Sequence, residues 1–239
     1  MQEKKKGVFI SFEGIDGCGK TTQVNNLMKY LSKKHLPYIK TREPGGTVLG
    51  EMIRRLVKYP EETYEILKKH HKYNKDFIVI KKHQLRTRPA EILLFQAARA
   101  ELVNYIIEPN LKSGINVIAD RFADSTRAYQ GGGGYKGDPK AIDFINSVHN
   151  YILQGNWPNK TFLLRIPYNV SRERLAALGT GNDDFEKRRK EFTMGVINEY
   201  DNIAKDYPER VVVIDSTKPR EEVFEQILKY VRPLFNLKS

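Results

Sequence analysis

Eight residues near the N-terminus have the types and spacing that hold a polyphosphate. They run from Gly14 to Thr21 and fit the pattern G-x-x-x-x-G-K-S/T without a mismatch. Glycines let the backbone curl so that successive N–H groups point at phosphate oxygens, and the start of a helix adds partial positive charge. Lys20 would bridge the β- and γ-phosphates of ATP, and the Thr21 hydroxyl would reach Mg²⁺. The residues predicted to bind ATP are Gly14, Ile15, Asp16, Gly17, Cys18, Gly19, Lys20, Thr21 and Thr22.

Charged residues follow two further strand-like segments. Arg42 opens the sequence R-E-P-G-G-T, and Asp120 and Arg121 follow an apolar run. In open α/β sheets, ligands bind at the carboxyl ends of the strands. An acidic residue there can hold Mg²⁺, directly or through water, and an arginine can stabilise charge on a transferring phosphoryl group. We therefore expect Asp120 and Thr21 at the metal and both arginines facing the phosphate loop, although either arginine alone could form a surface salt bridge.

Alternating apolar and helix-like stretches indicate how these residues are positioned. Strand-like runs lie at residues 7–12, 37–41, 115–119, 161–166 and 211–214. Their near-continuous hydrophobicity is typical of strands buried on both faces of a parallel sheet. Helix-like stretches cover 19–33, 90–107, 139–153, 184–206 and 219–231, and Thr217 is the expected cap of the last. This order predicts an α/β fold, a three-layer doubly wound five-stranded parallel sheet, in a single domain over residues 1–239.

The composition narrows the possible partners. The chain has 41 Lys and Arg against 29 Asp and Glu, a net charge of +12, but its basic residues are scattered rather than gathered beside aromatic residues. We therefore expect no nucleic-acid partner. No stretch approaches the roughly 18–20 apolar residues of a membrane span. The single cysteine excludes an internal disulfide framework, and no signal peptide follows the N-terminal lysines, so a cytoplasmic protein is expected.

Taken together, these motifs resemble the thymidylate kinase family of P-loop nucleoside monophosphate kinases. The resemblance rests on four stretches: 12–23, R-E-P-G-G-T at 42–47, L-L-F-Q-A-A-R at 93–99, and 120–133. It covers nearly the whole chain except for an atypical basic insertion at 58–88. It implies phosphorylation of dTMP to dTDP with Mg²⁺ and ATP, a homodimer, and a short helical lid at 175–190.

The resemblance also implies which residues carry catalysis. Asp16 would approach the deoxyribose 3′-hydroxyl, Arg42 and Arg121 would hold the acceptor phosphate, and Lys20 would neutralise charge with Mg²⁺. The acceptor's phosphate oxygen is already a nucleophile at neutral pH. The enzyme therefore needs no general base; it must align the two substrates, neutralise charge and exclude water.

Four further residues would bind the thymine base. By the same resemblance, Phe95 would stack on the ring, Arg99 would donate to its exocyclic oxygen, and Thr126 and Gln130 would complete the site. Phe95 and Arg99 are four residues apart, so on a helix they share a face. A hydrogen-bond donor placed there can bond a keto oxygen of the base, whereas a 4-amino group at the same place would set two donors against each other.

The lid region departs from the family pattern. Members with glycine at the position of Gly17 carry a lid arginine, yet residues 175–186 contain none, and Asp184 stands where arginine is common. Candidates for the missing charge are Arg127, Arg172, Arg174, Lys187, Arg188 and Arg189. Two alternatives therefore remain open: a kinase of another (deoxy)nucleoside monophosphate, and a catalytically weak homologue that binds nucleotide or nucleic acid.

Overall fold

The computed structural model describes residues 6–71, 86–179 and 186–237. At its centre is a sheet of five parallel strands in the order β2-β3-β1-β4-β5. The strands are β1 (Phe9–Glu13), β2 (Tyr38–Arg42), β3 (Asn116–Asp120), β4 (Lys160–Arg165) and β5 (Val211–Asp215). Every residue of β1 is buried, whereas the edge strands β2 and β5 are partly exposed. The predicted five-stranded parallel sheet is confirmed.

Helices cover both faces of the sheet and give the three predicted layers. Their bounds are α1 (Lys20–Lys33), α2 (Val48–Lys58), α3 (Pro60–His71), α4 (Arg88–Leu102), α5 (Glu108–Lys112), α6 (Ala123–Thr126), α7 (Pro139–Leu153), α8 (Tyr168–Ala177), α9 (Glu186–Asp206) and α10 (Arg220–Leu234). Two π-helical segments, Val103–Ile107 and Arg127–Gly134, follow α4 and α6. Phe12 packs with residues of α1, α9 and α10, and Phe9 packs on the opposite face with residues of α4 and α5. In the described part of the chain, no helix has the length and apolar character that crossing a membrane requires.

Helix α2 lies where the sequence predicted no helix. The Thr47 hydroxyl caps it by accepting a bond from the backbone N–H of Gly50 at 3.0 Å. Ile53 and Val57, four residues apart, pack with Ala98 of α4. The helical spacing was present in the sequence, but the apolar side chains of α2 are divided between a core side and an exposed side, so no single apolar face indicated the helix.

The basic segment at 58–88 is helical at both ends. Lys58 ends α2, Pro60–His71 forms α3, and Arg88 begins α4 behind the Thr87 cap. Residues 72–85 lie outside the described residues, and so does the 180–185 part of the predicted lid. The described part of the lid consists of the end of α8 and the start of α9.

The prediction that Thr217 caps the last helix is wrong. Its backbone N–H and its hydroxyl both donate to Oδ1 of Asp215, at 3.0 and 2.6 Å. The side chain therefore closes a turn after β5, and Pro219 precedes α10 without a side-chain cap.

Glycines allow α9 to cross the π-helical segment Arg127–Gly134 at close range. A Cβ on Gly195 would lie 2.5 Å from the Gly132 carbonyl oxygen, and a Cβ on Gly132 would lie 2.4 Å from Cβ of Glu199. At this crossing Arg127 donates to Glu199 and to Asp206 of α9, both at 2.6 Å. The lid-side helix is thus held directly against the segment that follows Arg121 and Thr126.

We predict that Gly132→Ala and Gly195→Ala each lower the free energy of unfolding by about 1–3 kcal/mol, because the added methyl group overpacks the crossing. Gly134→Ala is the matched control, since its Cβ would meet only the Tyr129 carbonyl oxygen, at 3.6 Å. Chemical denaturation of the three variants measures the difference. Equal stability of all three would contradict the role of the crossing.

Candidate active site

A cavity of about 980 Å³ opens above the carboxyl ends of the central strands. Apart from Gly14 and Ile15, every residue that the sequence predicted for the site lines this cavity. The structure therefore brings together the phosphate loop, the metal candidates, both acceptor arginines and the four base-site residues. Gly14 and Ile15 contribute through their backbone, since both carbonyl oxygens accept a bond from Nζ of Lys20 at 3.0 Å.

The carbonyl groups of the phosphate loop are bonded to donors from other segments. The Asp16, Gly17 and Cys18 carbonyl oxygens accept bonds from the side chains of Ser171 (2.7 Å), Arg174 (3.3 Å) and Ser216 (2.6 Å), respectively. The loop also needs glycine: Gly14 has a φ of 134°, and a Cβ on it would lie 2.5 Å from the Leu164 carbonyl oxygen. With its carbonyls occupied, the loop can present backbone N–H groups to an anion.

Thr21 and Asp120 lie side by side. The Thr21 hydroxyl donates to Oδ2 of Asp120 at 3.0 Å, and both side chains line the cavity. Among the described residues, no group of three or more His, Cys, Asp or Glu side chains is placed to hold a metal ion. One or two protein oxygens suffice for Mg²⁺, however, because it usually keeps several waters and takes phosphate oxygens as ligands. The pair therefore fits a Mg²⁺ that arrives with a nucleotide.

Arg121 is held by backbone and side chains on two sides. Its Nη1 donates to the Gly14 carbonyl oxygen at 3.0 Å, and its Nη2 donates to Oδ1 of Asp16 at 2.7 Å and to the Tyr129 hydroxyl at 2.9 Å. The guanidinium lies 4.8 Å from the centre of the Tyr129 ring. Burial alone would raise the pKa of Asp16, but the charges of Arg121 and Lys20 outweigh it and hold that pKa below its usual value.

Glu13 is a buried carboxylate that the sequence analysis gave no role. Its Oε1 accepts from the Phe122 backbone N–H at 2.6 Å, and its Oε2 accepts from the hydroxyls of Ser125 at 2.6 Å and Tyr200 at 2.7 Å. Burial, with the neighbouring charge of Asp124, raises the pKa of Glu13 to about 7. A charged residue ending a buried apolar strand was the available sequence signal, because such a group needs partners.

Arg42 reaches the cavity beside a carboxylate that the sequence did not single out. Its Nη2 donates to both carboxylate oxygens of Glu51, at 3.1 and 3.2 Å, and Glu51 also accepts from the Gly46 backbone N–H at 2.9 Å. Arg54 and Lys58, one turn apart on α2, line the cavity as well. The three cations converge on the acceptor side, and two of them were missed because α2 was not predicted.

The base-site arginine is fully engaged with protein acceptors. Arg99 is 1% exposed, and its Nη2 donates to Oε2 of Glu43 at 2.5 Å and to the Thr126 hydroxyl at 2.8 Å. Its Nη1 donates to Gln96 at 2.9 Å and to Nε2 of His149 at 3.1 Å. Burial and the charge of Arg99 hold the pKa of His149 well below its usual value, so the ring is neutral and accepts.

The remaining base-site residues lie on the cavity wall. Phe95 is partly buried against the cluster formed by α2 and α4 and lines the cavity. Gln130 also lines it, and its Nε2 donates to Oε1 of Glu91 at 3.0 Å. An aromatic ring, the hydroxyl of Thr126 and the amide of Gln130 thus line one cavity, a set of groups that suits a flat heterocycle with polar edges.

The structure distinguishes between the residues that could supply the missing positive charge of the lid. Arg127 is paired with Glu199 and Asp206, and it does not line the cavity. Arg174 does line it, beside the phosphate loop, and donates to the carbonyl oxygens of Gly17 and Ser216. The side chains at 187–189 lie outside the described residues.

We predict a pH-dependent stability contribution from Glu13. The folded chain keeps the carboxyl proton of Glu13 up to a pH of about 7, the raised pKa of this group, whereas the unfolded chain loses it near the ordinary glutamate pKa of 4.5. The folded state therefore binds more protons between these values, and its contribution to stability falls as the pH rises. The difference in unfolding free energy between the wild type and Glu13→Gln should shrink by up to about 3 kcal/mol across this window. Urea titrations from pH 4.5 to 8 test this, and a constant difference would refute it.

Comparison with known proteins identifies the family of this chain. A family model described as thymidylate kinase matches residues 12–227. A thymidylate kinase of Fervidobacterium nodosum is 42% identical over 222 residues, covering 93% of this chain and 97% of that protein, and one of Mesoplasma florum is 34% identical, covering 94% of each. The crystal structure of thymidylate kinase from Ehrlichia chaffeensis is similar with a TM-score of 0.69 and 30% identity, covering 95% of this chain and 99% of that one. The chain therefore belongs to the thymidylate kinase family.

Proposed function

We propose that this protein transfers the γ-phosphate of ATP to the phosphate of dTMP and so forms dTDP. The observation that carries the proposal is a shared anchor between the two substrate sites. The Gly14 carbonyl oxygen accepts bonds from Lys20 of the phosphate loop and from Arg121 on the acceptor side, each at 3.0 Å. Phe95 and Thr126 line the same cavity, so a base attached to the acceptor phosphate could contact them.

In this reaction the protein must align the two substrates and neutralise the charge of their phosphates. Lys20 would release the loop carbonyls and bond the β- and γ-phosphates, while Arg121 and Arg42 would hold the acceptor phosphate. Thr21 and Asp120 would hold Mg²⁺, which would supply positive charge to offset that of the ATP phosphates. Asp16 stays ionised beside Arg121, so it can accept a hydrogen bond from the deoxyribose 3′-hydroxyl.

Recognition of thymine would run through Thr126 as well as Arg99. The Thr126 hydroxyl accepts from Arg99, and a hydroxyl that accepts one bond still has a proton to donate. Arg99 would thereby orient this proton toward a base oxygen. Phe95 would stack on the ring, and Gln130 would bond the base edge from the opposite side.

We predict that dTMP stimulates ADP release more than dUMP, dCMP, UMP or AMP does, in a coupled assay with Mg²⁺ and ATP. Arg121→Ala should lower kcat/KM for dTMP by at least about 100-fold, because the charge that holds the acceptor phosphate in place for transfer is lost. Arg232→Ala is the control, since that arginine pairs with Glu225 on α10 and does not line the cavity. If no monophosphate raises ADP release above basal ATP hydrolysis, the proposed function fails.

We propose that two copies of this chain form a dimer through α2 and α4. Apolar side chains lie exposed along one side of these helices: Val48 (85% exposed), Leu49, Met52 (62%), Leu56 and Leu93. The residues at 48, 52 and 56 are spaced by one helical turn, so they form a continuous stripe. A contiguous apolar stripe of this kind marks a protein interface more often than a solvated surface.

We predict that Met52→Glu converts the dimer to a monomer, because it buries an unpaired charge at the centre of the stripe. Light scattering coupled to size-exclusion chromatography measures the mass. Val213→Glu is the control, since Val213 is also about half exposed but lies on β5, at the opposite edge of the sheet from β2. A wild-type monomer at micromolar concentration, or a Met52→Glu dimer, would overturn the proposed interface.

A further inference from the structure

We propose that Tyr200 of α9 is a positioning residue for Arg121, and that its hydroxyl sets the part of dTMP affinity that comes from the phosphate group. The inference rests on the proposed function, in which Arg121 binds the acceptor phosphate. Tyr200 itself is 2% exposed and does not line the cavity. It would therefore act through Arg121 without touching a substrate.

Three side chains from distant parts of the sequence meet behind Arg121. The Tyr200 hydroxyl donates to Oε2 of Glu13 at 2.7 Å and lies 3.1 Å from Oγ of Ser125, which also bonds Glu13 at 2.6 Å. Nη1 of Arg121 donates to the Ser125 hydroxyl at 3.2 Å and toward the Tyr200 hydroxyl at 3.5 Å. The carboxylate, the two hydroxyls and the guanidinium form one closed hydrogen-bonded cluster.

The cluster holds the Arg121 guanidinium at Nη1, and Nη2 is left on the side of the cavity. Nη1 bonds the Gly14 carbonyl oxygen and the hydroxyls of Ser125 and Tyr200, and of these three residues only Ser125 lines the cavity. Nη2 bonds Asp16 and Tyr129, which both line the cavity. An arginine fixed at one edge presents the opposite edge in a defined direction, and a planar guanidinium binds phosphate well only when it is so oriented.

Tyr200 is suited to this task because its hydroxyl keeps its proton and its ring cannot shift. Burial, with the nearby charge of Glu13, raises the pKa of Tyr200 well above its usual value, so the hydroxyl donates to Glu13 and its oxygen remains free to accept from Arg121. The ring packs edge-on against Tyr129, with centroids 6.4 Å apart. Gly195 lies just over one turn earlier on α9, and its close contact with Gly132 fixes the position of the helix.

The test compares two ligands that differ only in the phosphate. Affinities for dTMP and for thymidine are measured by isothermal titration calorimetry with the full chain, for the wild type, Tyr200→Phe, Arg121→Ala and the double variant. Tyr38→Phe is the matched control, since the Tyr38 hydroxyl bonds only Ser32 at 2.9 Å, outside the cavity. Thermal melting checks that each variant is folded.

We expect Tyr200→Phe to weaken dTMP binding by about 5-fold, the usual effect of losing one hydrogen bond in a charged network, and to leave thymidine binding unchanged. In the Arg121→Ala background, the same change should have no effect on dTMP, because residues that act through one another are not additive. Ser125→Ala removes the second hydroxyl and should give the same selective loss. Because Ser125 lines the cavity, this variant provides the test, if Tyr200→Phe does not fold, only when it is also made in the Arg121→Ala background, where its effect on dTMP should disappear.

The outcomes separate the two proposals. If Arg121→Ala does not reduce the preference for dTMP over thymidine, the proposed role of Arg121 fails, and this inference fails with it. If Arg121→Ala does reduce that preference, but loss of either hydroxyl leaves it unchanged or weakens both ligands equally, then only the role of Tyr200 is overturned. A loss that persists in the double variant would likewise show that Tyr200 acts on overall structure rather than through Arg121.

Discussion

The active site depends on one buried carboxylate. Glu13 ends the central strand and is bonded by groups from two other segments, the Phe122–Ser125 turn and α9. A carboxylate in this position is costly unless every oxygen is hydrogen-bonded, so its partners are tightly constrained. Because the phosphate loop starts at the next residue and Arg121 directly precedes Phe122, the same bonds fix the distance between the donor and acceptor halves of the cavity.

Two buried ion pairs constrain other parts of the fold in the same way. Arg99 pairs with Glu43, Arg127 with Glu199, and each pair joins segments far apart in the sequence. Such pairs add little net stability over well-packed apolar residues, but removing one partner leaves an uncompensated buried charge. They therefore work as constraints on geometry. Not all of the positive charge near the site is paired in this way for structural reasons: the cavity is also lined by cations such as Lys58.

The sequence predicted the sheet and the phosphate loop because both depend on local patterns. A continuous apolar strand followed by glycines, lysine and threonine leaves few alternatives, and the spacing of Phe95 and Arg99 placed both on one wall of the cavity. Long-range pairing was not visible. Nothing near Arg99 shows that Glu43, 56 residues away, occupies its guanidinium, or that Tyr200 lies behind Arg121. Helix α2 was missed because its apolar face is divided between a core side and an exposed stripe.

If Arg99 binds the base as proposed, its pairing with Glu43 changes how base selectivity would arise. Nη2 has two protons and three acceptors within reach: Glu43, Thr126 and the Phe122 carbonyl oxygen at 3.4 Å, the longest of the three. A thymine oxygen that bonds Arg99 directly must displace an acceptor, and displacing the weakest costs least. Neither Glu43 nor Thr126 then moves, so the guanidinium stays neutralised while it binds the base. In the proposed function, selectivity for a keto group would then follow from a donor array already fixed before the substrate arrives, which would spare the ordering cost of binding.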